Sequence, residues 1–244
     1  MNIAGDTHTH TLVCGHAYST LEENIASAKA QGHRFLAYTE HSPSMIKTIP
    51  PWYFGGMSRT IPRVVNGVVL VFGCEADVLN EEGELGLEER YLQKLDWVIA
   101  SIHGAFAGTE PGSRACYTRA WENVAANPIV DVIGHLGNPR VQPDYEKVIK
   151  AFKAGNKIVE LNCSSHITRQ GSEENCIRIA QLCVEYGVPM VLSSDAHFSA
   201  HVGDVAWGLD LIERLRIPEE LVLNLDYERF RKELFRRKGV QLPE

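Results

Sequence analysis

An α/β barrel of parallel strands is the fold that the sequence predicts. Short apolar, β-rich segments recur along the chain, stretches with helical periodicity separate them, and the 244 residues suit one barrel of about 250. The first strand, residues 2–5, leads through a loop to a helix over 20–31. There Ser19-Thr20-Leu21-Glu22 reads as a capping box and Gly32 as the left-handed stop. The second strand covers 35–38, after which Pro50-Pro51 and Gly55-Gly56 mark one long surface loop. The third strand, 68–73, precedes a helix over 88–95, and the fourth, 97–101, precedes one over 114–126. The fifth, 132–134, is followed by a helix over 144–154. The sixth, 158–161, leads to a helix over 172–186 that Gly187-Val188-Pro189 ends, and the seventh strand covers 189–192. Residues 205–238 read as two or three helices with no strand between them. With no repeat, low-complexity tract or linker, residues 1–244 are expected to form one domain.

Composition narrows the function. The net charge of −7 comes from 31 acidic and 24 basic residues spread along the chain, with no basic block to line a polyanion face. Duplex nucleic acid is therefore not an expected partner. No apolar run reaches the roughly 18 residues of a membrane helix, and the start lacks a basic segment followed by an apolar one, so a cytoplasmic protein without a membrane partner is expected. The six cysteines show no paired spacing of a zinc or redox type and read as reduced thiols that fill the core.

In a parallel barrel, catalytic groups collect where the βα loops converge, at the carboxyl ends of the strands. His8 and His10 follow the first strand, and alternation in an extended chain turns both imidazoles to one side. His16 lies in the next loop, His41 follows the second strand, Glu75 ends the third, His103 the fourth and His135 the fifth. Asp195 and His197 follow the seventh. Seven of the ten histidines, all except His33, His166 and His201, occupy such positions. One histidine at a strand end is ordinarily a hydrogen-bonded structural residue, but the repetition singles out a rim of candidate ligands. Imidazoles with a minority of carboxylates and no thiolate suit zinc, manganese or iron in a catalytic site.

The first-strand His-x-His, the Glu40-His41 pair, the lone Glu75, the two spaced histidines and the terminal Asp195-Ala196-His197 together resemble the PHP family, named for polymerases and histidinol phosphatase. The match spans the chain. Within that family, His16-Ala17-Tyr18-Ser19-Thr20, Pro62 to Val68, Gly137-Asn138-Pro139 and Gly171 to Cys176 resemble the stand-alone YcdX-type phosphatases. The resemblance implies a distorted seven-stranded (β/α)7 TIM-like barrel with two or three divalent ions, zinc foremost, at the C-terminal strand ends. It implies that His8, His10, Glu75 and Asp195 surround one ion and that Glu75 bridges to a second held by His103 and His135. His16, His41 and His197 would hold the third. Glu40, where Asp is frequent, and Leu136, where Pro is frequent, depart from the pattern without being ligands.

The implied activity is hydrolysis of small phosphate monoesters by a metal-activated hydroxide. Ions held by neutral imidazoles, with Glu75 and Asp195 as the only anionic ligands, keep a surplus of positive charge that favours a dianionic substrate. Asn162, at the tip of the sixth strand, is a candidate substrate contact, and Arg169 and Arg140 are candidate phosphate clamps. Tyr18, Trp52, Tyr53 and Phe54 could wall a ring-bearing leaving group or simply pack. Symmetric self-association is in keeping with the subgroup, though no stripe in the sequence marks an interface. Two other readings fit a His-x-His barrel: an amidohydrolase cleaving C–N bonds, which would carry a lysine where His103 stands, and a non-catalytic metal-binding PHP module, which would have lost ligands.

Overall fold

A computed structural model describes residues 2–45, 47, 49–104, 106 and 112–244. Its elements are β1 (Gly5–Asp6), α1 (Leu21–Ala30), β2 (Phe35–His41), α2 (Trp52–Thr60), β3 (Val64–Val65), β4 (Val68–Asp77), α3 (Glu89–Leu92), β5 (Trp97–Ser101) and α4 (Arg114–Ala126). Then follow β6 (Val132–Ile133), α5 (Tyr145–Ala154), β7 (Ile158–Asn162), α6 (Ser165–Thr168), α7 (Glu173–Tyr186), β8 (Met190–Ser193), α8 (Ala206–Leu215) and α9 (Tyr227–Lys238). Seven strands pair in parallel in the order β1-β2-β4-β5-β6-β7-β8, with helices between them, so the third to seventh expected strands are β4 to β8. Among the described residues no helix is long and apolar enough to cross a membrane.

The barrel is nearly closed. Between β8 and β1 the side chain of Asn224 stands in for a ladder. Its amide donates to Gly5 O at 2.9 Å and Leu192 O at 2.7 Å, and its oxygen accepts from Leu192 N at 2.9 Å. Thr7 Oγ1 donates to Leu192 O, and a parallel bridge of Thr9 with Ala196 carries the seam to the upper rim.

Alternation along the strands splits the interior into two layers. At the amino ends Phe35, Ala37, Val69, Val71, Trp97, Ile99, Val132, Ile158 and Val191 form an apolar core. α9 plugs that end, with Phe230 stacked on Phe35 at 4.0 Å between ring centroids and 5.3 Å from Trp97. Later positions of the same parity are Thr39 and His41, Gly73 and Glu75, Ser101, Glu160 and Asn162, and Ser193. Gly73 allows close approach of the strands, because a Cβ there would meet the Trp97 carbonyl at 2.5 Å.

Three local expectations are corrected, and one hairpin is added. Residues 52–60 form helix α2 instead of a surface loop, because Phe54 and Met57 bury one face and Gly55 lets the helix lie against the Tyr91 ring. β3 and the start of β4 form a hairpin across Asn66-Gly67, both at positive φ, the requirement of the tight turn that suits strand twist. The capping box of α1 joins Thr20 to Glu23, one residue later than read from Ser19. β1 begins at Gly5, since Ala4 N already donates to Asn224 O and Ala4 O accepts from Arg34 N.

Candidate metal centre

Beyond β1 the extended chain turns His8 and His10 into the barrel mouth, both fully buried, with their Nε2 atoms 3.0 Å apart. Asp6 locks this segment to the loop after β8, accepting from the N–H groups of His8, Ser194 and Gly203 and from the Ser194 hydroxyl. Burial raises the pKa of Asp6 against those hydrogen bonds.

Glu75, projected inward from β4, occupies the centre. Its Oε2 lies 2.8 Å from His41 Nδ1, 3.4 Å from His8 Nε2 and 3.5 Å from His10 Nε2. Its Oε1 lies 2.9 Å from His135 Nε2 and 3.2 Å from His103 Nε2. Asp195 Oδ1 is 3.3 Å from His10 Nε2 and 3.7 Å from His8 Nε2. His16 Nε2 and His197 Nε2 approach to 2.8 Å, and with His41 they form a third cluster whose ligating atoms lie within 4.8 Å of one another. Donors around one tetrahedral ion with bonds of about 2.0–2.2 Å stand about 3.3–3.6 Å apart, close to the spacing of His8, His10, Glu75 and Asp195.

The donor set fits divalent cations on a second ground. Among the described residues Glu75 Oε2, His10 Nδ1, both ring nitrogens of His41 and His135 Nδ1 are buried and make no hydrogen bond. Buried polar atoms are ordinarily satisfied, and a carboxylate oxygen ringed by imidazole nitrogens is satisfied by a cation. Burial pushes the Glu75 carboxyl up, but His103, His41 and His8 outweigh it and hold it well below the usual range. Asp195 is likewise held well below its usual range against burial, by His8, His10 and Arg169. Burial lowers His8 and His103, yet the surrounding carboxylates prevail and push His8 well up and His103 up to about 10.

Carboxylates behind the imidazoles fix their orientation. Glu160 Oε1 lies 2.6 Å from His8 Nδ1, which therefore donates and turns Nε2 toward the centre, where a bound cation would take the place of its proton. Glu160 also accepts from His135 N and from the Ser193 hydroxyl, both at 2.6 Å. Asp77 holds His103 Nδ1 at 2.7 Å in the same way, and the Asp195 carbonyl holds His197 Nδ1 at 2.9 Å. Two of the converging residues adopt left-handed backbone, His135 at φ 25 and Asp195 at φ 54, a cost borne where a loop must aim a side chain.

A family model described as the PHP domain matches residues 6–164. The chain belongs to the PHP family. Over 98% of its length and 98% of the relative's, this PHP chain is 43% identical to a protein of Acetivibrio thermocellus named "Probable phosphatase". A solved chain from Listeria monocytogenes aligns with a TM-score of 0.62 at 16% identity, covering 84% of this chain and 98% of that one. A histidinol phosphate phosphatase from Lactococcus lactis, solved with zinc, L-histidinol and phosphate, aligns with a TM-score of 0.57 at 17% identity, covering 88% and 92%. At that identity both structures bear on the fold.

The proposed substrate contacts of this PHP domain separate. Arg169 lies at the rim, its Nη2 3.2 Å from Asp195 Oδ2 and its Nη1 3.1 Å from Ser165 Oγ. Asn162 is buried and engaged: its amide donates to Asp195 Oδ2 at 3.1 Å and Glu160 Oε2 at 3.3 Å, and its oxygen accepts from Ser164 and Ser165. It holds Asp195 instead of presenting free groups to a ligand. Arg140 is exposed outside the histidine cluster, and Tyr18, 79% exposed, stands at the rim with its N–H on the His197 carbonyl at 2.8 Å. Of the expected aromatic wall, Phe54 is core and Tyr53 pairs with the Tyr38 hydroxyl, while Trp52, like Tyr18, is exposed. Glu40 accepts from Thr11 N at 2.8 Å and tethers the strand that carries His10, and burial pushes it up to about 7.

Glu160, Asp77 and Asp6 were not read as part of the site. Glu160 had a signal: in Ile158-Val159-Glu160-Leu161-Asn162 it is an acid in an apolar strand, in phase with inward-facing Ile158. Cys14 lies in the core as expected, its thiol pushed up to about 11 by burial, and its Sγ also groups with His10 and His197.

Proposed function

We propose that this PHP chain, one domain over residues 1–244, is a metal-dependent phosphoesterase that hydrolyses small phosphate monoesters. The observation that carries the reading is Glu75, which meets imidazoles through both carboxylate oxygens and leaves Oε2 buried without a hydrogen bond. His8, His10, Glu75 and Asp195 would hold one divalent ion, Glu75 with His103 and His135 a second, and His16, His41 and His197 a third. Such ions, zinc foremost, supply Lewis acidity that neutralises phosphoryl oxygens and lowers the pKa of a water toward about 7. The name of the 43% identical relative supports the same class of reaction.

The chain's own groups position and discriminate. Glu160 and Asp77 keep protons on the Nδ1 atoms of His8 and His103, so that the Nε2 atoms face the centre. Both carboxylates, absent from the charge count made on the sequence, reduce the positive surplus of the site. Arg169 is the cation that the chain adds at the rim, and turning its fork from Asp195 to a phosphate would keep it paired. The amidohydrolase reading lacks its lysine, since β5 runs into Ile102 and His103.

The test combines elemental analysis of the purified protein with phosphate release from a chromogenic monoester after each of zinc, manganese and iron is added back. Expected are two or three ions per chain and turnover abolished by a chelator. Turnover of an amide or lactone but of no phosphate ester would overturn the reading.

A further inference from the structure

Beside the histidine cluster a cavity of about 600 Å³ extends from Asp195 and His197 toward α6 and α8. That is far more than a phosphate occupies, and within the range of sites that enclose a ligand of many atoms. Arg169 lines it where it meets the cluster, and Ile167, His166, Asp204 and Trp207 line it further along. The rings of His166 and Trp207 are stacked, 5.2 Å between centroids and 11° from parallel, so that His166 braces the flat, polarisable indole before any ligand arrives. His166 Nδ1 is held by the Cys163 carbonyl at 2.8 Å, which fixes that ring and leaves Nε2 as an acceptor. The Asp204 carboxylate is exposed and, among the described residues, takes part in no hydrogen bond or ion pair. Away from Arg169 the cavity thus offers a flat apolar wall and unused acceptors.

We propose that this cavity is the subsite for the leaving alcohol, and that it selects phosphate monoesters whose alcohol carries a planar ring with hydrogen-bond donors on its edge. Trp207, backed by the stacked His166 ring, would stack on the ring, and Asp204 would accept from its donor edge. The proposal rests on the phosphoesterase reading, because it places the phosphate at the histidine cluster and Arg169. Trp207 and Asp204 are specificity residues that do not touch the reacting atoms.

The test compares adenosine 5′-monophosphate, ribose 5-phosphate and glycerol 1-phosphate on the metal-loaded protein and on the variants Trp207→Ala and Asp204→Asn. With the ring wall removed, kcat/KM for the adenosine ester should fall about tenfold or more, the scale of one aromatic–base stack, while the glycerol ester stays within about twofold. Asp204→Asn, at an exposed position that folding does not depend on, should lower the ratio of adenosine ester to ribose ester by about threefold or more. Calorimetric titration with adenosine alone should give a Kd at least about fivefold weaker for Trp207→Ala. Equal losses on all three esters, or none, with the wild-type protein active, would overturn the subsite and leave the phosphoesterase reading standing. Hydrolysis of no ester at all would remove both.

Discussion

Glu160 shows how much at the residue scale escapes a list of ligand types. It touches no expected ion, yet through His8 Nδ1 and His135 N it orients two imidazoles from one carboxylate. Glu160→Gln keeps the volume and an acceptor for His8 but removes the charge. Metal affinity or turnover should fall about 10–100-fold with little change in Tm, as for other carboxylates that support metal-bound histidines. Competition with a chromophoric chelator measures it, and an unchanged affinity would reduce Glu160 to a packing role. The nine candidate ligands were legible because imidazoles at successive strand ends repeat a pattern that helices and loops lack. Glu160 and Asp77 are harder to place: strand phase can turn an acid inward, but it reads alike whether it meets an ion or the imidazole behind one.

At the scale of elements, strands and capped helices were readable where side chains within a few residues decide the outcome. α4 spans its expected residues, with the Ser113 hydroxyl accepting from Cys116 N, and Asp144 caps α5 through Lys147 N. α2 was misread because two glycines and two prolines signal a loop, whereas its helicity comes from burying Phe54 and Met57 against the barrel. The 205–238 stretch was read as helices, but its Asn224, between α8 and α9, also completes the sheet at the β8–β1 seam. Asn224→Ala removes three buried hydrogen bonds, taking the side-chain partner from Gly5 O and Leu192 N, while Leu192 O keeps the Thr7 hydroxyl. A loss of about 3 kcal/mol follows, roughly 6–12 °C in Tm by calorimetry. A drop under about 2 °C would mean that other contacts close the seam.

For the whole molecule, the barrel is a container with an apolar floor and a polar mouth, and folding and site formation are one event. Ions bound by the native chain and not by the unfolded chain stabilise it by mass action. At free metal about a thousandfold above Kd, each contributes about 4 kcal/mol. A chelator should therefore lower Tm by roughly 8–16 °C per ion released, reversed by adding zinc back. An unchanged Tm would show that the clusters do not hold ions tightly in the folded state. The sequence by itself determined the repeated βα units and the rim of histidines, since periodicity and strand-end position are local properties of a chain. Only the tertiary structure decided that Glu75 faces imidazoles on two sides, that Asn162 is spent on Asp195, and that Asn224 closes the barrel. Those are meetings between residues far apart in the chain, and which side chains meet depends on how the strands curve around a common axis, which no stretch of sequence encodes alone.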